Sequence, residues 1–329
     1  MKVLSLSEDE VASLITIEDA LEAVELAFKE RAYGYTQMPP KVYLNYQGHN
    51  GDLRTMPSYL ERLDISAVKV VTVYPDNGKK YGLPTVIATI LLNDPKNGQL
   101  LAIMNGGLIT AMRTGAAGGI AAKYLATRNP RTVSFIGAGL QARTQLSALL
   151  SVFPSLQEIR VWDIKPNAAN SFVAEITCRI SKLEAVFAEN PQAAVEGANI
   201  VVTTTPSTKP LILNDWVANG THFNCIGADA PGKEELDPAI LRRSKIVVDD
   251  WIQASHSGEI NVPVSDGILL RENVWAELGK VVAGLKTGRS STNEITVFDS
   301  TGLAIQDATT AEFVYRKALE SKIGTYINL

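Results

Sequence analysis

The stretch RTVSFIGAGLQARTQ, residues 131–145, runs from a short apolar strand pattern through a glycine turn into a helical pattern. Gly137, Gly139 and Ala142 stand in a G-x-G-x-x-A spacing. The first glycine permits a tight turn, and the second lets backbone approach a diphosphate at a helix N-terminus. The alanine allows close packing of helix on strand. Such a turn binds a dinucleotide phosphate and usually opens its domain, yet here 130 residues precede it.

Downstream, EIRVWDI, ANIVVTTTP, THFNCIGA and SKIVVDD read as strands separated by helical stretches. That alternation predicts an α/β fold of the Rossmann type, a doubly wound parallel sheet with helices on both faces. The second strand ends in Asp163, placed to accept both ribose hydroxyls of NAD and to repel a 2′-phosphate, or else to cap the helix that follows. Lys165, two residues on, leaves room for NADP. Thr203 and Thr204, in TTTPS, supply small hydroxyl groups suited to a nicotinamide ribose.

Upstream the texture differs. Ser7–Glu10 forms a capping box, and a second helix start at Thr16 precedes an apolar stripe of Ile17, Ala20, Leu21, Val24, Ala27 and Phe28. Five β-rich runs follow, KVYLNY, DLRTMP, SAVKVVTVY, TVIATILLND and GQLLAIMN, with turn signals such as PDNGKKYG and NDPKNG between them. They lie too close together for crossover helices, which predicts a mainly antiparallel sheet. GGLITAMRTGAAGGIAAKYLA reads as a helix crowded with small residues, and the tail EITVFDSTGLAIQDATTAEFVYRKALE ends in an amphipathic helix. The residues before the fingerprint therefore read as a separate α+β domain that carries the substrate, with the cofactor domain inserted after it.

Composition narrows the function classes. With 329 residues the chain is long enough for two cores, and a net charge of −4 gives neither a nucleic-acid footprint nor a polybasic membrane patch. Two cysteines, Cys178 and Cys225, and three scattered histidines, His49, His222 and His256, show no metal-ligand spacing, so no metal is expected. No stretch reaches the roughly 18 apolar residues of a membrane span, and the N-terminus has no apolar run of signal-peptide length. A reducing cytoplasm is the expected setting.

Charged residues in apolar settings mark the candidate chemistry. Lys69 alternates with Ala67, Val71 and Val73 on one strand face, where a lysine either snorkels to an edge or faces a functional cavity. Beside another cation, a desolvated lysine suits proton transfer near neutral pH. Arg54 and Arg113 carry guanidinium forks that suit a substrate carboxylate, although Arg113 would equally pair with a neighbouring acid. Lys41, in PPKVYL, is a weaker candidate of this kind, since most lysines in such a setting are solvated. Asp229, just past an apolar strand, would accept a hydrogen bond from a substrate amine, orient a water, or cap the turn at Pro231 and Gly232. Several cations and one acid near a nicotinamide suggest an α-amino acid, its imine or its 2-oxo acid.

Taken together, Arg54-Thr-Met-Pro, Lys69, MRTGAAGG, GAGLQA, GADAPGKEELD and EITVFDSTGLAIQD resemble the ornithine cyclodeaminase/μ-crystallin family, in order and along the whole chain. Within that family the chain looks most like the archaeal-type alanine dehydrogenases. The resemblance implies a homodimer. Residues 1–115, completed by a C-terminal helix at 303–329, would form the substrate-binding and dimerisation domain, and residues 116–302 the NAD-binding domain. It implies that Lys69 transfers protons, that Arg113 binds the substrate carboxylate and borders the cofactor, and that Asp229 serves the substrate amine. Thr114, Leu140, Gln141, Asp163, Ile226, Gly227 and Ser300 would join the glycine turn in holding NAD.

Cyclodeaminases of the family carry a glutamate before the Met-Pro step, where the corresponding region here has Arg54. Exchanging a carboxylate for a guanidinium removes a base and adds a carboxylate clamp. The resemblance therefore implies NAD-dependent oxidative deamination of a small L-amino acid, alanine to pyruvate and ammonia, and its reverse. The alternatives are a cyclic ketimine reductase acting on pyrroline-2-carboxylate or piperideine-2-carboxylate, an ornithine cyclodeaminase, and a non-catalytic binding protein of the μ-crystallin kind.

Overall fold

The computed structural model describes residues 2–329, which divide into two compact units: residues 2–113 with 303–329, and residues 114–302. The division falls inside the helix Gly107–Leu125.

The first unit is built on an eight-stranded sheet. Its order is Thr325–Asn328, Lys2–Leu6, Leu100–Asn105, Val86–Asn93, Ile65–Val73, Gly51–Leu60 and Thr36–Gln37, with Val42–Tyr46 also paired to Gly51–Leu60. The four long central strands are antiparallel, as their short connections require. Their side chains alternate strictly. Arg54, Met56, Ser58 and Leu60 share a buried face with Ile65, Ala67, Lys69 and Val71, and with Ala88, Ile90 and Leu92. The helix Ala304–Ser321 lies on that face and packs against the helix Ile17–Ala32. Both Ser7 and Thr16 complete capping boxes in front of their helices.

Two strands depart from the sequence expectation. Lys2–Leu6, which the sequence reading does not pick out as a strand, pairs parallel with Leu100–Asn105, leaving the sheet mainly antiparallel as expected. The tail is also not helical to its end: the helix stops at Ser321, Lys322 turns left-handed with φ 57°, and Thr325–Asn328 returns as an edge strand on Lys2–Leu6. Gly324, at φ 105°, makes that return possible.

The second unit is an eight-stranded, fully parallel sheet. Its order is Glu184–Phe187, Glu158–Trp162, Thr132–Ile136, Ile200–Thr203, His222–Cys225, Ile295–Asp299, Ser244–Val248 and Val274–Glu277. The chain reverses its direction of travel across the sheet between Thr132–Ile136 and Ile200–Thr203. Beyond the carboxyl ends of those strands lies the crevice of a doubly wound fold. Apolar clusters cover both faces, one around Phe135, Leu149 and Phe172 and the other around Phe223, Ile246 and Val297. Small residues of the helix Gly107–Leu125 admit a close neighbour here, since a side chain on Gly115 would meet Thr144 backbone and one on Gly118 would meet the Gln145 amide.

Candidate functional site

In the second unit the fingerprint forms a real turn. Gly137 takes φ 101°, a conformation that other residues resist, and a Cβ there would come within 2.8 Å of Thr204 Oγ1. Gly139 is the N-cap of the helix Leu140–Val152, and no side chain caps it. A Cβ on Gly139 would meet nothing within 4 Å. First-turn N–H groups facing open space are what a diphosphate requires. Leu140 is exposed and Gln141 half-buried on that turn. Arg143, which the sequence reading did not single out, donates to the carbonyls of Ala138 at 2.8 Å and Gly139 at 3.1 Å and thereby fixes the loop.

Asp163 is placed between its two readings. Oδ2 accepts the Ala138 N–H at 2.9 Å and Oδ1 the Lys165 N–H at 2.8 Å. It therefore ties the glycine turn to the end of the second strand, half-buried at the rim, while Lys165 itself is the exposed N-cap of the next helix. Thr204 donates through Oγ1 to Gly137 O at 3.2 Å, and Thr203 ends its strand fully buried. Ile226 and Gly227 hang from Thr203 O at 2.9 and 3.1 Å, and Ser300 N donates to Cys225 O at 3.0 Å. Gly137, Thr204, Ile226, Gly227 and Ser300 thus gather at the carboxyl ends of four adjacent strands. Thr114 is buried in the same unit, and its carbonyl accepts from Gln145 Nε2 at 2.8 Å.

Behind these loops stands an acid that the sequence reading passed over. Buried Glu235 accepts the Thr205 N–H at 2.7 Å on one oxygen and the Gly227 N–H at 3.1 Å on the other, joining two loops of the crevice. Burial raises its carboxyl to about 7. Asp229 lies half-buried beyond, and Lys233 Nζ donates to its Oδ1 at 2.6 Å; the Gly232 N–H goes to Asn261 Oδ1 instead.

The first unit brings together two of the candidate charges around a residue the sequence reading missed. Lys69 Nζ donates to Asp307 Oδ1 at 2.8 Å, and Arg113 Nε donates to the same oxygen at 2.9 Å. Arg113 Nη1 also reaches Gln306 Oε1 at 3.3 Å, and Thr110 Oγ1 lies 3.4 Å from Lys69 Nζ. Lys69 is only 1% exposed and Arg113 5%. Burial, then the Arg113 guanidinium and more weakly Lys41, lower the Lys69 ammonium from 10.5 to about 7, against the opposing pull of Asp307. Lys69 therefore faces inward and does not snorkel to the sheet edge. The group is chemically equipped to give and take a proton near neutrality.

Arg54 stands apart from that cluster in its bonding. Its Nε and Nη2 grip Asp52 at 2.7 and 3.1 Å, and its guanidinium lies 5.3 Å from the centroid of the Tyr43 ring. It shares the buried sheet face with Lys69, one register step away, because Arg54 sits opposite Val71 and Met56 opposite Lys69. Lys41 is half-buried just before the strand Val42–Tyr46.

Among the described residues no group of histidine, cysteine and carboxylate side chains is arranged to hold a metal ion. His222 is buried between Thr296 Oγ1 and Asn224 Oδ1, and burial holds its ring near 3, in the neutral form. Among the described residues no helix is long and apolar enough to cross a membrane.

A family model for the ornithine cyclodeaminase/mu-crystallin family matches residues 1–322. The chain belongs to that family. It is 49% identical to the alanine dehydrogenase of Archaeoglobus fulgidus over 99% of this chain and 98% of that one. A solved structure described as an archaeal alanine dehydrogenase dimer with bound NAD matches with a TM-score of 0.95 at 49% identity, over the whole of both chains. The Δ1-pyrroline-2-carboxylate reductase of Thermococcus litoralis, solved with NADH and L-proline, matches with a TM-score of 0.95 at 42% identity, over 99% of this chain and all of that one. These likenesses carry the Rossmann-type assignment of the parallel sheet beyond its topology.

Proposed function

We propose that this family member is an NAD-dependent dehydrogenase of a small L-amino acid, converting alanine to pyruvate and ammonia and catalysing the reverse amination. The observation that carries the reading is Lys69, a buried amine held near 7 between Arg113 and Asp307. A lysine on a wholly structural sheet face would not be kept there at such desolvation cost. The likeness to an alanine dehydrogenase at 49% identity, and Arg54 in place of a cyclodeaminase glutamate, support this substrate class.

In this reading the first unit is the substrate domain and the second the NAD domain. The open first turn at Gly139, the glycine conformation at Gly137 and the Asp163 carboxylate fit the diphosphate and ribose of NAD. Bound NAD supplies the acceptor for the hydride that leaves the substrate Cα. Arg113, aided by Arg54 and Lys41, neutralises the substrate carboxylate. Lys69 takes the proton released as water adds to the imine carbon, and Asp229 steadies the amine until ammonia leaves. In the reverse direction the Lys69 ammonium returns that proton.

A homodimer belongs to the same reading. The sheet face opposite Lys69 shows Val42, Leu44, Leu53, Val70, Ile87 and Leu91 at half-buried or exposed positions. A contiguous apolar face of this kind marks an interface, and the archaeal relative is described as a dimer.

The second reading, a cyclic ketimine reductase, is favoured by the match to the Thermococcus enzyme. Initial rates with alanine, proline, ornithine and pyrroline-2-carboxylate separate the two. NADH formed from alanine faster than from proline supports the dehydrogenase. NADH consumption confined to the cyclic imine replaces it, and proline formed from ornithine without net NADH makes the chain a cyclodeaminase.

A further inference from the structure

We propose that Asp307 is a positioning residue of the amino-acid site: one carboxylate oxygen fixes the Lys69 ammonium and the Arg113 guanidinium in a common frame, and the other is kept for a hydrogen-bond donor from solvent or substrate. The inference rests on the reading of Lys69 as the proton-transfer group.

Asp307 lies in the first turn of the helix Ala304–Ser321, where a negative charge is favoured by the helix dipole. The helix start is pinned to the sheet, since Ser58 Oγ donates to Ala304 O at 3.0 Å. The carboxylate is thus delivered by a rigid element onto a rigid strand.

Its bonding is lopsided. Oδ1 takes both cations, at 2.8 and 2.9 Å, while Oδ2 is buried and has no donor. Gln306 Nε2 and Thr310 Oγ1 are likewise buried without partners. Three of the ten such atoms among the described residues therefore fall within residues 306–310. Leaving a buried polar group unsatisfied is costly, so a carboxylate kept only for stability would spread its two cations over both oxygens. An acceptor, an amide donor and a hydroxyl along one helix face instead suit a small polar guest.

The charges facing Lys69 come from several of the elements around it. Arg113 belongs to the helix Gly107–Leu125, Lys41 precedes the strand Val42–Tyr46, and Arg54 with Asp52 lies on the adjacent strand Gly51–Leu60. The strand on the other side contributes Ala88, Ile90 and Leu92, all apolar. Asp307 is the anion bonded to Lys69 itself. It opposes the burial and the cations that drive the amine towards neutrality, so its loss leaves Lys69 a weaker base.

The test is an NMR titration of protein labelled at lysine ¹³Cε, with Lys69→Arg assigning the resonance. In Asp307→Asn, which keeps size and removes charge, the Lys69 midpoint is expected to fall by about one unit or more. The acid limb of kcat/KM for amino acid oxidation moves to lower pH with it, and KM for the amino acid rises about tenfold as Arg113 loses its anchor. An unmoved midpoint in folded Asp307→Asn overturns the proposal. If Asp307→Asn does not fold, Asp307→Glu shifts the carboxylate by one methylene; a changed midpoint with kcat reduced about tenfold supports the proposal, and wild-type values for both overturn it. The titration needs no substrate. A wild-type protein that fails to oxidise amino acids therefore defeats the dehydrogenase reading and leaves the placement of Lys69 by Asp307 to be judged on its own.

Discussion

Lys69 and Asp307, 238 residues apart in sequence, meet at 2.8 Å with both side chains almost wholly out of water. Breaking a buried pair by removing one partner typically costs about 3–5 kcal/mol, because a charge is left stranded. Here the Arg113 guanidinium remains on Asp307 when Lys69 is lost. Lys69→Met is therefore expected to fold, with an unaltered NAD affinity measured by fluorescence titration, while turnover falls by about 10²-fold or more. Turnover near the wild-type level removes Lys69 from proton transfer.

Lys69 titrates near 7, far below its ordinary 10.5, and this fixes the direction of the pH profile. Oxidation needs the neutral amine, so kcat/KM with alanine rises through an acid limb near 7. Reduction needs the ammonium, so kcat/KM with pyruvate and ammonia declines above the same point. Rate profiles in both directions check this, and limbs of the same sign contradict it.

Asp163 holds two backbone N–H groups and stands at the strand end where the proposed NAD site would place the ribose. Asp163→Ser is expected to raise the KM for NAD about tenfold or more and to narrow its preference over NADP, because the anionic repulsion of a 2′-phosphate is gone. An unchanged ratio of kcat/KM for the two cofactors would confine Asp163 to shaping the turn.

Asp299 is buried, with Oδ1 lacking a donor, and burial followed by the neighbouring Asp249 raises its carboxyl from 3.8 to about 8. The folded state therefore keeps a proton that the unfolded chain releases, and stability is lost progressively as pH rises from the lower value to the upper. Asp299→Asn removes that dependence. Its melting temperature relative to wild type should increase across this window by about 5 °C or more, read by scanning calorimetry. A constant difference shows that Asp299 does not titrate with folding.

The apolar sheet face makes a separate claim. Val70 and Thr72 point away from Lys69 on the same strand, and Val70→Lys would place a charge in the middle of the proposed interface. Sedimentation should show a dimer for wild type and a monomer for the variant, since burying an unpaired ammonium costs several kcal/mol. A variant that remains dimeric places the interface elsewhere.

The sequence was most legible where structure is local. The glycine turn, the capping boxes at Ser7 and Thr16, and the strand alternation around Lys69 all depend on residues a few positions apart, and all are present in the fold. Lys69 and Arg113 were conspicuous as charges in apolar surroundings. Asp307 was not, because an acid in an amphipathic helix reads as solvated until a strand 238 residues away is placed beneath it. Glu235 reads as part of a charged turn, and only the fold carries it beneath Thr205 and Gly227. The strands Lys2–Leu6 and Thr325–Asn328 are hidden for a related reason: each is short, and their partners, each other and Leu100–Asn105, lie far off in sequence.

The most direct measurement follows the transferred atom. Purified protein is supplied with α-deuterated L-alanine and NAD, and the reduced cofactor is isolated. Deuterium at nicotinamide C4, with pyruvate and ammonia formed in equal amounts, is the predicted result. Unlabelled reduced cofactor, or none from alanine while pyrroline-2-carboxylate consumes NADH, contradicts the assignment as an alanine-type dehydrogenase.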